Sequence, residues 1–149
     1  MQREKKKNCA LKATLGEVRI LPFLLLIMLY ALPAAGQDYG HESNGNGGGF
    51  WGEGASWFSG TTPEETDTVI IHLNDTIRLT GDEAIHTLII EAGGVLEGNG
   101  FMLAVSGDIY VEGSLADNCH LQVNGINEQA ISSSDTISTL TLNKPSGRL

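Results

Sequence analysis

The sequence predicts an all-β fold: a short right-handed parallel β-helix, or β-solenoid, closed at its amino-terminal end by an aromatic cap. Three observations predict it. First, Ile85-His86-Thr87-Leu88-Ile89-Ile90 returns as Ile137-Ser138-Thr139-Leu140-Thr141-Leu142. Each copy leads through glycine to a second aliphatic position, with one residue inserted before the glycine of the second copy. Recurrence of a small strand–corner–strand unit is what stacked repeats produce, because no unit can bury its apolar face alone. Second, Glu91 and Glu112 are 21 residues apart and Gly94 and Gly113 are 19 apart, the length of one small rung. Third, no stretch after Gln37 sustains apolar residues at i, i+3, i+4 and i+7, whereas aliphatic and β-branched residues alternate in short runs bounded by Gly, Asn and Asp. A period too short for helical crossovers points to parallel strands wound about one axis. The alternative is an antiparallel β-sandwich, which accounts for the alternation but not for the return of Ile-x-Thr-Leu in the same orientation.

Residues 1–36 read as an export signal. Arg3, Lys5, Lys6, Lys7, Lys12 and Arg19 form a basic region, Ile20 to Leu32 an apolar one, and Ala34-Ala35-Gly36 a small-residue cleavage site before Gln37. Pro22 and Pro33 and the shortness of the apolar run argue against a membrane span of roughly 20 residues. Any contact with membrane is therefore expected only through this segment if it stays uncleaved. The expected location is secreted or at the cell surface.

Removing the signal changes the charge balance. Three basic residues (Arg78, Lys144 and Arg148) then face sixteen acidic ones, a formal net charge of −13. A nucleic-acid groove or an anionic-membrane surface needs clustered Lys and Arg, so both are excluded as partners. Cys119 becomes the only thiol, which leaves no internal disulfide and makes a continuous core the source of stability.

Along the mature protein, residues 37–49 are polar and glycine-rich and are expected to form a flexible lead. Residues 50–149 are expected to form the solenoid domain, truncated at its carboxy-terminal end. Phe50, Trp51, Trp57 and Phe58 crowd into nine residues. One reading is a plug over the open end of the stack, shielding its edges. The other is a platform on which Trp51 and Trp57 stack against sugar rings; the cap is the favoured reading because terminal repeats are atypical. In the strands that follow, Val69 and Ile71, Ile77 and Leu79, Leu88 and Ile90, Leu103 and Val105, and Ile109 and Val111 point inward by their alternation. Thr87, Ile89 and Tyr110 point outward, and Leu140 and Leu142 join the core by analogy with Leu88 and Ile90. Leu121 and Val123 mark another strand, and Asn124 to Ser134 reads as a loop. The last copy breaks off inside its second strand, so the edge at Ser138 to Leu142 is expected to self-associate or to need covering.

These residues carry a resemblance. Trp57-Phe58-Ser59-Gly60-Thr61-Thr62-Pro63, Asp67-Thr68-Val69-Ile70-Ile71, Ile85-His86-Thr87-Leu88-Ile89-Ile90, Gly94-Val95-Leu96 and Gly107-Asp108-Ile109-Tyr110-Val111 follow one another in order. That order resembles the amino-terminal region of large secreted parallel β-helix surface proteins of Bacteroidetes-type bacteria. It is also similar to the extracellular domain named for its eight glycines. The resemblance covers residues 50 to 115, and 136 to 149 more loosely, and it rests on scaffold positions. It implies export, surface display, and adhesion or glycan contact. Such proteins continue for many repeats and carry a carboxy-terminal sorting domain, which this sequence does not contain. Thr68, Thr76 and Thr136 each follow Asp and precede an aliphatic residue, the pattern that resembles the O-glycosylation acceptor of those bacteria. The same pattern is also what a turn entering a strand looks like, with Asp at the corner. Asn74-Asp75-Thr76 matches the N-glycan sequon as well.

Catalytic chemistry is not legible. Asp75, Asp82, Glu83, Glu91 and Glu112 are the candidate carboxylates and Arg78 their one basic neighbour, but nothing sets two carboxylates in contrasting environments as acid–base catalysis requires. His41, His72, His86 and His120 lack ligand spacing. No cofactor is expected; calcium is the one metal the acidic composition leaves open, and neither the EF-hand order nor the Gly-Gly-x-Gly-x-Asp repeat occurs. Cys119 and His120 would face opposite sides of a strand, which rules them out as nucleophile and base. The expected function is therefore a non-enzymatic surface scaffold of adhesin type, with an extracellular glycan or cell-surface ligand as partner. The alternative is the non-catalytic lead domain of a secreted carbohydrate-active enzyme.

Overall fold

The computed structural model describes residues 40–145 and Leu149; the expected signal (1–36) and the first residues of the expected lead (37–39) lie outside the described residues. The backbone winds through five rungs. The first holds β1 (His41–Glu42) and β2 (Gly48–Phe50), followed by a short 3-10 turn at Gly54–Ser56. Three complete rungs follow: β3 (Thr68–Ile71), β4 (Thr76–Arg78) and β5 (Glu83–Ile85); β6 (Thr87–Ile90), β7 (Val95–Glu97) and β8 (Met102–Val105); and β9 (Ile109–Val111), β10 (Ser114–Ala116) and β11 (His120–Val123). The last holds β12 (Ile131–Ser133) and β13 (Thr139–Leu142).

Stacking these rungs makes three faces. The first face runs β1-β3-β6-β9-β12, the second β2-β4-β7-β10 and the third β5-β8-β11-β13. Every pairing between these strands is parallel. The β-solenoid is thereby established and the sandwich is excluded; the one antiparallel contact among the described residues is a single bridge between Ser43 and Trp57.

The expected inward residues are inside. Val69, Ile71, Ile77, Leu79, Leu88, Ile90, Leu103, Val105, Ile109, Val111, Leu121 and Val123 are all buried in one continuous cluster, whereas Tyr110 is 39% exposed. Burial of each of these aliphatic groups contributes about 1.5–3 kcal/mol. Both spacings read from the sequence are true rung equivalents: Ile90 pairs with Val111, which puts Glu91 beside Glu112, and Val95 pairs with Ser114, which puts Gly94 beside Gly113. Gly113 is required there, because a Cβ on it would lie 2.2 Å from the Gly94 carbonyl oxygen of the rung before.

Polar residues at the corners join one rung to the next. Asp82 Oδ1 accepts from the Met102 N–H at 2.8 Å, Asp108 Oδ1 from Ala130 N–H at 2.8 Å, and Asp135 Oδ2 from Leu115 N–H at 2.9 Å. Asn99 Nδ2 donates to the Leu79 carbonyl at 3.0 Å. Asn74, Asn99, Asp117 and Asn118 take the positive φ that tight corners need, a conformation Asn and Asp tolerate through their short polar side chains.

Four expectations need correction. The lead is not loose: from His41 it forms β1 and β2, which pair with β3 and β4, so the solenoid begins before residue 50. Hydrogen bonds from residues distant in sequence supply the ordering that the local sequence lacks. The segment from Asn124 to Ser134 contains a strand, β12, and buries Gln129. Leu140 and Leu142 face inward in register with Leu121 and Val123, yet they are 39% and 57% exposed because no rung among the described residues covers them. Finally, the two copies that reveal the solenoid are not equivalent positions in it. Thr87–Ile90 lies on the first face and Thr139–Leu142 on the third. All three faces impose the same alternation, so a strand motif can return on any of them.

Candidate ligand-presenting face

The aromatic cluster resolves in favour of the cap. Trp51 and Trp57 are 1% and 2% exposed, with ring centroids 5.2 Å apart at an interplanar angle of 80°. The Trp57 indole N–H donates to the Trp51 carbonyl at 2.8 Å, and His41 meets the Trp57 ring edge-on. Both tryptophans lie between β2 and β3, in the rung that has no third-face strand, and belong to the same buried cluster as the inward aliphatics. Their ring faces are therefore spent on packing, and sugar stacking on Trp51 and Trp57 is corrected to a structural role. Phe50 and Phe58 are the exposed members, at 44% and 81%.

The outer side of the first face offers a different surface. Register places Glu42, Ile70, Ile89, Tyr110 and Ser132 in one column along the stack. Rungs stand about 4.8 Å apart, so Ile70, Ile89 and Tyr110 make an unbroken apolar and aromatic stripe. Alternation puts them there: each is flanked in its strand by two buried residues and must point outward. Beside Tyr110, Asp108 Oδ2 accepts a 3.0 Å hydrogen bond from the phenol, and this bond to a carboxylate raises the phenol pKa above its ordinary value.

Polar groups border the stripe at both edges. On one edge His72 bridges carboxylates from the rungs on either side, with Nδ1 3.0 Å from Glu91 Oε2 and Nε2 3.2 Å from Glu42 Oε2. On the other, the loop between β11 and β12 folds back to leave a shallow concavity of about 190 Å³ lined by His86, Ser106, Asp108 and Glu128. His86 Nδ1 and Ser106 Oγ are 3.0 Å apart within it. The buried Gln129 holds that loop: its Nε2 donates to the Val105 and Gly107 carbonyls, while its Oε1 accepts from the Gly125 N–H and from Lys144 Nζ. Sequence reasoning misses this concavity. His86 and Ser106 stand one rung length apart, a spacing that could have aligned them.

The remaining candidates are dispersed. Asp75 is fully buried and accepts from the Gly45 and Gly47 N–H groups. Asp82 is engaged at its corner, and Arg78 pairs with Glu97 on β7 through Nε–Oε2 at 2.5 Å. Burial raises the Glu83 pKa, with Asp82 adding to it, but Glu83 lies on the third face, away from Glu91 and Glu112. His41 is beside Asp67 and Thr61, and His120 beside Thr141, so the four histidines lie at separate places. Among the described residues no three His, Cys, Asp or Glu side chains are grouped to hold a metal ion. Cys119 is buried and His120 half-exposed on the opposite side, as strand parity requires, and burial pushes the thiol pKa up to about 11. Thr68 and Thr76 are half-buried at the starts of β3 and β4, and Thr136 is exposed between β12 and β13. The preceding Asp67, Asp75 and Asp135 each accept backbone hydrogen bonds.

No family model matches the sequence, and it is matched by neither a curated protein nor a solved structure.

Proposed function

We propose that this protein is a non-enzymatic, secreted or cell-surface β-helix scaffold that contacts an extracellular glycan through the outer side of its first face. The observation that carries this reading is the Ile70–Ile89–Tyr110 column ending at the Asp108 concavity. A sugar ring has an apolar face and a hydroxyl rim. The stripe supplies the flat apolar partner, and Asp108, Ser106, Glu128 and His86 supply acceptors and donors for the rim. Glu42, Glu91, Asp108 and Glu128 make the surroundings acidic, which favours neutral or amino-bearing sugars and opposes uronic or sulfated ones. The resemblance of the sequence to secreted bacterial surface proteins and the export signal expected at residues 1–36 support the location.

A glycan array followed by saturation-transfer NMR on the purified protein tests the reading. Neutral or amino sugars should bind, and Tyr110→Ala should weaken binding about tenfold, the worth of one aromatic contact. Phe58→Ala, away from the stripe, should leave binding unchanged. Binding only to sulfated glycans, or binding indifferent to Tyr110, would overturn the assignment.

A further inference from the structure

Four Asn–Gly pairs occur in the sequence: Asn44–Gly45, Asn46–Gly47, Asn99–Gly100 and Asn124–Gly125. Such pairs are chemically labile. The glycine amide nitrogen, unhindered by any substituent beyond its Cα, loses its proton and attacks the Asn Cγ. A bond forms from that nitrogen to Cγ, the Cγ–Nδ2 bond breaks and ammonia leaves. Water then opens the succinimide to aspartate or isoaspartate. By sequence alone the four sites are alike.

The fold makes them unequal, because the attacking N–H groups are held by three different acceptors. Gly45 N–H donates to Asp75 Oδ2 at 2.8 Å and Gly47 N–H to Asp75 Oδ1 at 2.8 Å. Gly125 N–H donates to the neutral Gln129 Oε1 at 3.0 Å. Among the described residues the Gly100 N–H reaches only the Asp117 carbonyl, at 3.3 Å. A charged acceptor opposes loss of the proton most strongly, since deprotonation would leave two anions in contact. Asp75 has no exposed surface, and burial alone would raise its pKa. Hydrogen bonds from Ser43, Gly45 and Gly47 and the nearby His72 charge more than offset this, so the carboxyl stays below its ordinary 3.8 and remains ionised.

We infer that the Asn44–Gly47 turn is a hydrolytic modification site kept silent by the buried Asp75 carboxylate, and that the Asn99–Gly100 corner is where the folded protein ages first. The second site has structural consequences. Asn99 Nδ2 donates to the Leu79 carbonyl, which belongs to the preceding rung. An aspartate there sets a carboxylate against that carbonyl, and an isoaspartate adds a methylene to a left-handed corner with φ 49°. Either product loosens the corner between the second and third faces.

The test compares the whole protein, folded and in concentrated urea, during incubation in mildly alkaline buffer. Peptide mass spectrometry reads conversion and isoaspartate at each site. In urea the four sites should convert at similar rates. In the folded protein Asn99 should convert fastest, and Asn44 and Asn46 should be held back about 10- to 100-fold relative to urea, the factor that a hydrogen bond to a charged group contributes. Asp75→Asn, which keeps one acceptor oxygen and removes the charge, should speed Asn44 and Asn46 about tenfold while Asn124 keeps its rate. If that variant unfolds, all four sites rise together and the ranking in the folded parent decides. Conversion of Asn44 or Asn46 as fast when folded as in urea, or faster than Asn99, overturns the inference.

Discussion

His72 Nδ1 lies 3.0 Å from Glu91 Oε2 on the next rung, while its other nitrogen reaches Glu42 on the rung before. One imidazole thus ties three successive rungs at the edge of the first face. The hydrogen bond to Glu91 raises its pKa above the ordinary 6.5; burial opposes this, and Glu42 reinforces it. A raised histidine pKa contributes stability that is fully present below about 6.5 and is lost as pH rises through the folded value. Both carboxylates are about half exposed, so the contribution is below about 1 kcal/mol. Urea unfolding should show the native protein losing that increment between mildly acidic and mildly alkaline pH, and His72→Gln abolishing the difference. An unchanged pH dependence in His72→Gln would assign the effect to another group.

Leu88→Ala should destabilise the protein by about 2–5 kcal/mol, because Leu88 is fully enclosed by neighbouring rungs. Leu140→Ala should cost less than about 1 kcal/mol, because the same inward direction on the last rung leaves that leucine 39% exposed. Chemical denaturation of the two variants measures the contrast. Equal losses would mean that Leu140 is covered in solution.

Cys119 should not react with Ellman's reagent in the native protein at mildly alkaline pH and should react at once in concentrated guanidinium. Cys119 is 1% exposed, and burial raises its thiol pKa to about 11, so almost no thiolate is present. Rapid native labelling would contradict the packing of Cys119 against Gly98, where an added Cβ would lie 2.2 Å from the Cys119 Cα.

Gln129→Ala should loosen the loop from Asn124 to Ala130. The substitution strands the Gly125 N–H and the Gly107 carbonyl, each at a cost of about 1–3 kcal/mol if left without a partner, while the Val105 carbonyl keeps the Asn124 N–H. Hydrogen exchange should accelerate across that loop, while the amides of β6 and β9 keep their protection. Acceleration spread evenly over the whole protein would show a global rather than a local role.

Strand parity was legible in β3, β6, β8, β9 and β11 because an inward position must be apolar on every rung. Rung length was legible because Gly113 can approach Gly94 only without a Cβ. Face membership was not, since Thr87–Ile90 and Thr139–Leu142 satisfy one pattern on two faces. Nor were β1 and β2, because Gly48-Gly49-Phe50 has no alternation to read and is ordered by pairing with Thr76-Ile77-Arg78. Tyr110 reads as outward from its neighbours, but the concavity beside it depends on Gln129 reaching back to Val105. That contact links residues 24 apart and leaves no local trace.

The parallel pairings of all three faces have a mechanical corollary. Their hydrogen bonds run along the stack axis, from each rung to the next. Tension applied between the two ends of the stack therefore pulls each bond along its own length and loads the rungs in series. Under such a load the molecule should yield by peeling one rung at a time, starting at the last rung, whose Leu140 and Leu142 have the least cover. A transverse load shears every ladder at once and meets far greater resistance, so the direction of pull, more than its size, decides how this protein gives way.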